Sequence, residues 1–129
     1  MIYLIHGTDT HKSRKKLHEL LEQAKKKRPE AELFKITTEN WDENRFEELL
    51  VSQGLFEQKY TVVLDNLFEK KDYKNYVLNK ITEMSQSDQI FLILESGVDA
   101  TTLKKLEKNA KQVQEFKLTE SKKTDSKIF

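Results

Sequence analysis

The feature that most constrains the fold is the alternation of short apolar runs with longer amphipathic stretches. The runs are rich in Ile, Leu, Val, Phe and Tyr, which is typical of buried strands. Between them, apolar residues recur every three or four positions among Lys and Glu, which predicts helices. The runs lie at residues 2–6, 33–37, 60–64, 90–94 and 113–118.

Four helices are predicted between these strands. The first ends before Pro29, which cannot continue a helix, and Asp42 or Asn40 can cap the second. The apolar residues at helical spacing that mark these helices are Leu17, Leu20, Leu21 and Ala24 in the first helix, Phe46, Leu49 and Leu50 in the second, Tyr73, Tyr76, Val77, Ile81 and Met84 in the third, and Leu103, Leu106 and Ala110 in the fourth.

Strands that alternate with helices are joined by right-handed crossovers, so the sheet is expected to be mostly parallel and covered on both faces. The predicted fold class is therefore α/β, a three-layer α/β/α sandwich with a mostly parallel five-stranded sheet. Residues 90–94 form the most apolar run and are predicted to be the central strand.

Composition narrows the function classes. The 129 residues fit one domain, and the formal net charge of +1 gives no footprint of strong DNA binding, although one face can still be basic. The absence of Cys excludes disulfides and thiolate metal sites. No apolar run reaches the roughly 18 residues of a membrane span, and residues 1–5 lack the features of a signal peptide, so a cytoplasmic location is expected.

The turn after the first strand partly resembles a phosphate-binding loop. Such a loop needs Gly, four residues, then Gly-Lys and Ser or Thr. Here Lys12 and Ser13 follow Gly7 after four residues, so the second glycine is missing and the loop is one residue short. Asp65 lies where an NTPase aspartate would hold magnesium, but Asn66 follows it instead of a catalytic glutamate. The alternative is a plain turn, with Lys12 and Ser13 in the first exposed turn of a helix and Asp65 as a turn or cap residue.

Other catalytic patterns are not found. His6, His11 and His18 have no carboxylate at a matching spacing, so no metal site is expected. No Ser-His-Asp arrangement is indicated, and we predict neither a catalytic residue nor a cofactor.

Leu55 and Phe56 follow the predicted end of the second helix and precede the third strand, so neither the helical nor the strand spacing of apolar residues explains both. If Gly54 ends the helix, Leu55 can pack back on Leu50 and Phe56 can enter the core. The other interpretation is that both side chains insert into a pocket of a partner protein, where two such anchors can act as hot spots.

Several segments resemble, in order and spacing, the delta subunit family of DNA polymerase III. The resemblance lies in the opening at residues 2–9, the stretch 49–66 around Leu55 and Phe56, the segment 99–106, and the closing strand at 113–118. It covers about residues 1–118 and implies the N-terminal domain of a clamp-loader subunit, with an AAA+ fold of the P-loop NTPase type whose phosphate loop has degenerated.

The resemblance implies that Leu55 and Phe56 bind the sliding clamp, the beta subunit, and help to open the ring for loading onto DNA during replication. Ser52, Gln53 and Gly54 flank the pair. Many clamp-binding peptides have Gln three residues before the Leu, and this position is Ser52 here. The family further implies a subunit without catalysis of its own, which meets primer-template DNA in the assembled complex.

The family also implies a second helical domain and a third collar domain that joins the other clamp-loader subunits. We therefore expect residues 1–118 to be the first domain and residues 119–129 to be a linker or the start of a truncated second domain. The alternative function is a small nucleotide-binding phosphotransferase or NTPase that uses Lys12, Ser13 and Asp65. A DNA-binding accessory domain is a third hypothesis, which the near-neutral charge disfavours.

Overall fold

The computed structural model describes residues 1–51 and 59–118. Five strands form one all-parallel sheet in the order β2-β3-β4-β1-β5. The strands are β1 (Ile2–His6), β2 (Glu32–Ile36), β3 (Tyr60–Asp65), β4 (Ile90–Glu95) and β5 (Gln112–Glu115). The helices are α1 (Thr10–Lys27), α2 (Glu43–Val51), α3 (Lys71–Asn79), α4 (Ile81–Gln86) and α5 (Ala100–Asn109), with a short 3-10 helix at Leu67–Glu69.

The sheet has a different layer of helices on each face, as the sequence predicted. Leu17 and Ala24 of α1 pack against one face, where they meet Leu92 and Leu94 of β4. The other helices pack against the opposite face, which holds the larger core. Because its side chains enter both layers, all six residues of β4 are buried. The predicted α/β/α sandwich and the central place of β4 are confirmed.

The prediction of a single third helix is wrong, because the structure has two helices there, α3 and α4. Lys80 separates α3 from α4, with φ −101° and ψ 6°. This turn is tight and keeps a local hydrogen bond from the Lys80 amide to the Val77 carbonyl. The helical spacing of apolar residues therefore continues across the break, and periodicity by itself cannot detect it. Val77, Ile81 and Met84 are all buried.

Smaller differences concern element ends. Asp42 caps α2, because its Oδ1 accepts from the Asn44 and Arg45 amides at 2.9 and 3.3 Å. The Asn40 side chain instead accepts from the Thr37 amide at 2.7 Å and closes the turn after β2. β2 begins and ends one residue earlier than predicted, and β5 ends at Glu115 instead of residue 118.

The parallel sheet gives the domain two distinct edges. Every strand ends at one edge, which we call the carboxyl edge, and every strand begins at the other, the amino edge. A crossover helix runs back from the first edge to the second, so α1 and α2 begin at the carboxyl edge and end at the amino edge. None of the described helices is long and apolar enough to cross a membrane.

Candidate functional site at the carboxyl edge

Ligands of open parallel α/β sheets usually bind at the carboxyl edge, and here the loop from β1 to α1 is fastened to its neighbours by its own backbone. The Gly7 amide donates to the Glu95 carbonyl at 3.1 Å, and the Asp9 amide donates to the Phe116 carbonyl at 2.9 Å. The Phe116 amide donates in turn to the His6 carbonyl at 2.8 Å. These loop amides are therefore used within the protein and cannot cradle a phosphate without breaking these bonds.

The start of α1 uses the groups that a phosphate loop would offer to its ligand. The Asp9 carboxylate accepts from the Lys12 amide at 3.1 Å, and the Asp9 carbonyl accepts from the Ser13 amide at 3.0 Å. The Ser13 hydroxyl donates to the Thr10 carbonyl at 3.2 Å. The expectation that Ser13 is exposed is wrong, because it lies one helical turn before Leu17 on the face of α1 that packs on the sheet. Lys12 is exposed as predicted.

Asp65, the candidate magnesium ligand at the end of β3, is already occupied. Both of its oxygens accept from the Arg14 guanidinium, at 2.9 and 3.0 Å, and the Lys35 ammonium lies 3.5 Å away. The Asn66 side-chain amide donates to the same carboxylate at 3.0 Å. Burial by itself would raise the pKa of Asp65, but the hydrogen bonds and charges of Arg14 and Lys35 outweigh it and hold the pKa below its ordinary value. Asp65 is therefore an ionised member of an internal ion pair.

Glu95, at the end of β4, is a second carboxyl at the same edge and has the opposite behaviour. Its side chain is buried and accepts from the Phe68 amide at 3.1 Å. Burial is the main cause that raises the pKa of Glu95 to about 8, and the negative charges of Glu69 and Asp65 act in the same direction. The backbone hydrogen bonds from Phe68 and Leu67 lower it only in part. At neutral pH Glu95 is therefore mainly a neutral carboxylic acid.

The space left between these groups is small. A cavity of about 20 Å³ remains between the start of α1 and the ends of β3 and β4, which is about the room of one water molecule. It cannot hold a nucleotide. Its lining residues are Thr10, Ser13, Arg14, Asn66, Leu94, Glu95 and Ser96.

The structure places three of the predicted phosphate-site residues, Gly7, Ser13 and Asp65, at the carboxyl edge. It adds two that the sequence interpretation missed, Arg14 and Glu95. Arg14 directly follows Ser13, and a cation in the first turns of α1 could have been predicted to pair with Asp65 at the same edge. Glu95 directly follows the most apolar run of the sequence. A carboxyl next to a fully buried strand could have been predicted to be buried as well.

The three histidines are not gathered in one place. His6 is buried at the end of β1, whereas His11 and His18 are exposed on α1. Across residues 1–51 and 59–118, no group of three or more His, Cys, Asp or Glu side chains could hold a metal ion.

The Leu55–Phe56 pair, with Ser52, Gln53 and Gly54, lies outside the described residues. The described residues on either side of segment 52–58 are at the amino edge, away from the carboxyl-edge site. Val51 ends α2 with 65% of its surface exposed. Lys59 precedes β3, and its carbonyl accepts from the Glu32 amide at 3.0 Å.

Comparisons with known proteins agree with this architecture. A family model described as DNA polymerase III, delta subunit, matches residues 3–116. Among solved structures, the fold is similar to that of the Bacillus subtilis DNA clamp loader delta protein (YqeN), with a TM-score of 0.64 and 17% sequence identity. That match covers 97% of this chain and 41% of the Bacillus protein, so the chain spans about two fifths of its length. No curated protein matches. Because the family model matches most of the sequence, the chain belongs to the delta subunit family of DNA polymerase III.

Proposed function

We propose that this chain is the clamp-binding domain of a clamp-loader delta subunit. In this role Leu55 and Phe56 bind the sliding clamp, help to open the ring, and take no part in catalysis. The observation that carries the proposal is the family match over residues 3–116. The residues that flank the pair in the sequence, Ser52, Gln53 and Gly54, are proposed to complete the contact. The other loader subunits and primer-template DNA are proposed partners of the longer protein, with residues 119–129 leading into its next domain.

The closed site at the carboxyl edge supports a role in protein binding over one in nucleotide chemistry. The loop amides, the Ser13 hydroxyl and the Asp65 carboxylate all have internal partners. An NTPase needs these groups free for phosphate and magnesium.

The borders of segment 52–58 also suit a presented binding motif. Phe46, Leu49 and Leu50 of α2 are buried in the core, and Val51 alone separates Leu50 from the segment. After the segment, the Tyr60 amide donates to the Gln89 side chain at 2.7 Å. A binding motif whose borders are fixed by the fold loses less entropy on docking than one at a free chain end, and this supports the proposal.

The double substitution Leu55→Ala/Phe56→Ala is expected to weaken clamp binding at least about tenfold, because it removes two apolar anchors that lose their contact with water in the partner's pocket. Phe56→Ala is expected to account for more of this loss than Leu55→Ala, because Leu55 can also contact the end of α2. The measurement is a titration of the purified sliding clamp of the same organism, by calorimetry or surface binding.

Leu118→Ala is the matched control. Leu118 is also an apolar residue with 54% of its surface exposed, but it lies at the carboxyl edge, whereas Val51 and Lys59, the described neighbours of segment 52–58, lie at the amino edge. It should bind the clamp like the unmodified chain. Equal clamp affinity of the double variant and the unmodified chain, with both shown to be folded by circular dichroism, would contradict the proposal.

The alternative, a nucleotide-binding phosphotransferase or NTPase, makes a different prediction for thermal unfolding. We expect millimolar ATP or GTP with magnesium to leave the melting temperature unchanged, because the loop amides, the Ser13 hydroxyl and the Asp65 carboxylate already have internal partners. The cavity between the start of α1 and the ends of β3 and β4 also has room for only about one water. A nucleotide at a hundred times its Kd would stabilise the fold by about 2.7 kcal/mol, which a melting curve readily detects. Such a shift would favour the alternative.

A further inference from the structure

The near-neutral net charge of the chain hides a strong separation of charge. Residues 10–28, which cover α1 and its cap, contain eight Lys or Arg and two Glu, for a net charge of +6. The whole chain has a net charge of +1, so the remaining residues together are acidic. A weak overall charge therefore does not describe the surface around α1.

Five basic residues lie at the amino edge, four at the end of α1 and one before β5. We call them the basic end: Lys25, Lys26, Lys27, Arg28 and Lys111. The four lysines are exposed. Within the described part of the chain, none of the four lysine ammonium groups forms an ion pair with a carboxylate. Lys111 does not belong to α1, since it lies directly before β5. It shares an open groove of about 340 Å³ with Lys27, between α1 and β5.

The cations of the basic end repel a nearby positive group. The pKa of the Met1 amino group is lowered to about 6, mainly by burial and in part by the charges of Arg28 and Lys111. The charge of Asp88 acts in the opposite direction. Lysines in the last turn of α1 complement the helix dipole, but this does not explain Lys111, which is outside the helix. An anion bound at this edge would be attracted by the positive potential of these cations.

The chemistry around the basic end favours phosphate over an apolar partner. Of the large apolar side chains exposed in the described residues, Leu33, Val51 and Leu118, Leu33 lines a groove together with Lys25 and Arg28, whereas Lys26, Lys27 and Lys111 do not line it. Successive residues of a helix point about 100° apart, so Lys25, Lys26 and Lys27 face different directions. They can therefore reach several phosphates along a chain, whereas a single small anion would use only one or two of them.

We infer that the basic end binds the phosphate backbone of a nucleic acid strand. The choice of nucleic acid rests on the proposed function, because a sliding clamp encircles DNA. The basic end and the borders of segment 52–58 lie at the same edge of the sheet, so a clamp held there would bring its DNA to this side of the domain. This binding depends on charge and not on base sequence.

The test compares the triple variant Lys26→Glu/Lys27→Glu/Lys111→Glu with a matched triple variant on α5, Lys104→Glu/Lys105→Glu/Lys108→Glu. Both change the net charge equally, and all six lysines are exposed. Binding of labelled single-stranded and duplex oligonucleotides is followed by fluorescence anisotropy at several salt concentrations. The basic-end variant should bind at least about tenfold more weakly, and its slope of log K against log salt should fall by about 2 on single strands and nearly 3 on duplexes. The α5 variant should keep the slope of the unmodified chain.

Equal loss in both triple variants would overturn the inference, because only net charge would then matter. Failure of the unmodified chain to bind either oligonucleotide at low salt would also overturn it. The clamp titration separates this inference from the proposed function. The basic-end variant should bind the clamp normally, and the Leu55→Ala/Phe56→Ala variant should bind nucleic acid normally.

Discussion

Gly7→Ala is expected to destabilise the fold by about 2–6 kcal/mol, since strain and overlap each cost about 1–3 kcal/mol. The Gly7 backbone has φ +130°, a conformation that L residues with a side chain rarely adopt. An added Cβ would also lie 2.6 Å from the carbonyl carbon and 2.8 Å from the nitrogen of Phe116. These are backbone atoms, so no side-chain rotation can relieve the overlap. To accommodate Ala, the segment after β5 must move and lose its hydrogen bonds to Asp9 and His6.

Urea unfolding of the two proteins measures this cost, because a lower midpoint at an unchanged slope reports lost stability. Gly97→Ala is the matched control. Apart from Gly97 and its two chain neighbours, no heavy atom of the described residues lies within 4 Å of the position that a Cβ would take at Gly97, so the stability of this variant should change by less than about 1 kcal/mol. An equally small loss of stability in Gly7→Ala and Gly97→Ala would refute the close approach of Phe116, which follows β5, to the loop at Gly7.

Glu95→Gln is expected to be as stable as the unmodified protein below pH 4.5 and increasingly more stable than it towards pH 8. The pKa of Glu95 in the folded protein is about 8, and an unfolded carboxyl of this type titrates near 4.5. A raised pKa contributes stability that is fully present below pH 4.5 and is lost as the pH rises towards 8, because the unfolded chain releases its proton first. Each pH unit in this window should cost the unmodified protein about 1.4 kcal/mol relative to the Gln variant. The neutral amide keeps an acceptor for the Phe68 amide and carries no charge to bury.

The measurement is the difference in unfolding free energy between the Gln variant and the unmodified protein at pH 5, 6, 7 and 8. Glu115→Gln is the control. In the sheet, His6 of β1 lies between Glu95 of β4 and Glu115 of β5, and Glu115 is exposed whereas Glu95 is buried. The control should follow the unmodified protein at every pH. A constant difference for Glu95→Gln across the range would show that this carboxyl is ionised in the folded state.

The two carboxyl groups at the carboxyl edge, Asp65 and Glu95, are both engaged in contacts within the protein. Asp65 keeps its charge because Arg14 and Lys35 surround it, and Glu95 keeps its proton because burial leaves it without a cation. An ionised Glu95 would add a second negative charge near Asp65, in the place where an NTPase holds phosphate and magnesium. The internal pairs stabilise the edge without a ligand, which fits the proposed role in protein binding.

The sequence by itself determined the fold class, the central place of β4 and the two-layer core. These properties depend on local patterns, since a fully apolar run must be buried on both faces and helical spacing gives a helix one buried side. The sequence also showed that the phosphate loop is incomplete, because a missing glycine is visible without coordinates.

The tertiary structure decided which groups meet. Arg14 and Asp65 are 51 positions apart in the chain, and no local pattern predicts that they form a bidentate pair. The break at Lys80 was hidden because its turn preserves the helical spacing of core residues. The pKa of Glu95 depends on how deeply the end of β4 is buried, and the basic end exists because α1 and the start of β5 reach the same edge. Contacts between distant residues and desolvation belong to the packed chain, so they follow from the fold and not from the order of residues alone.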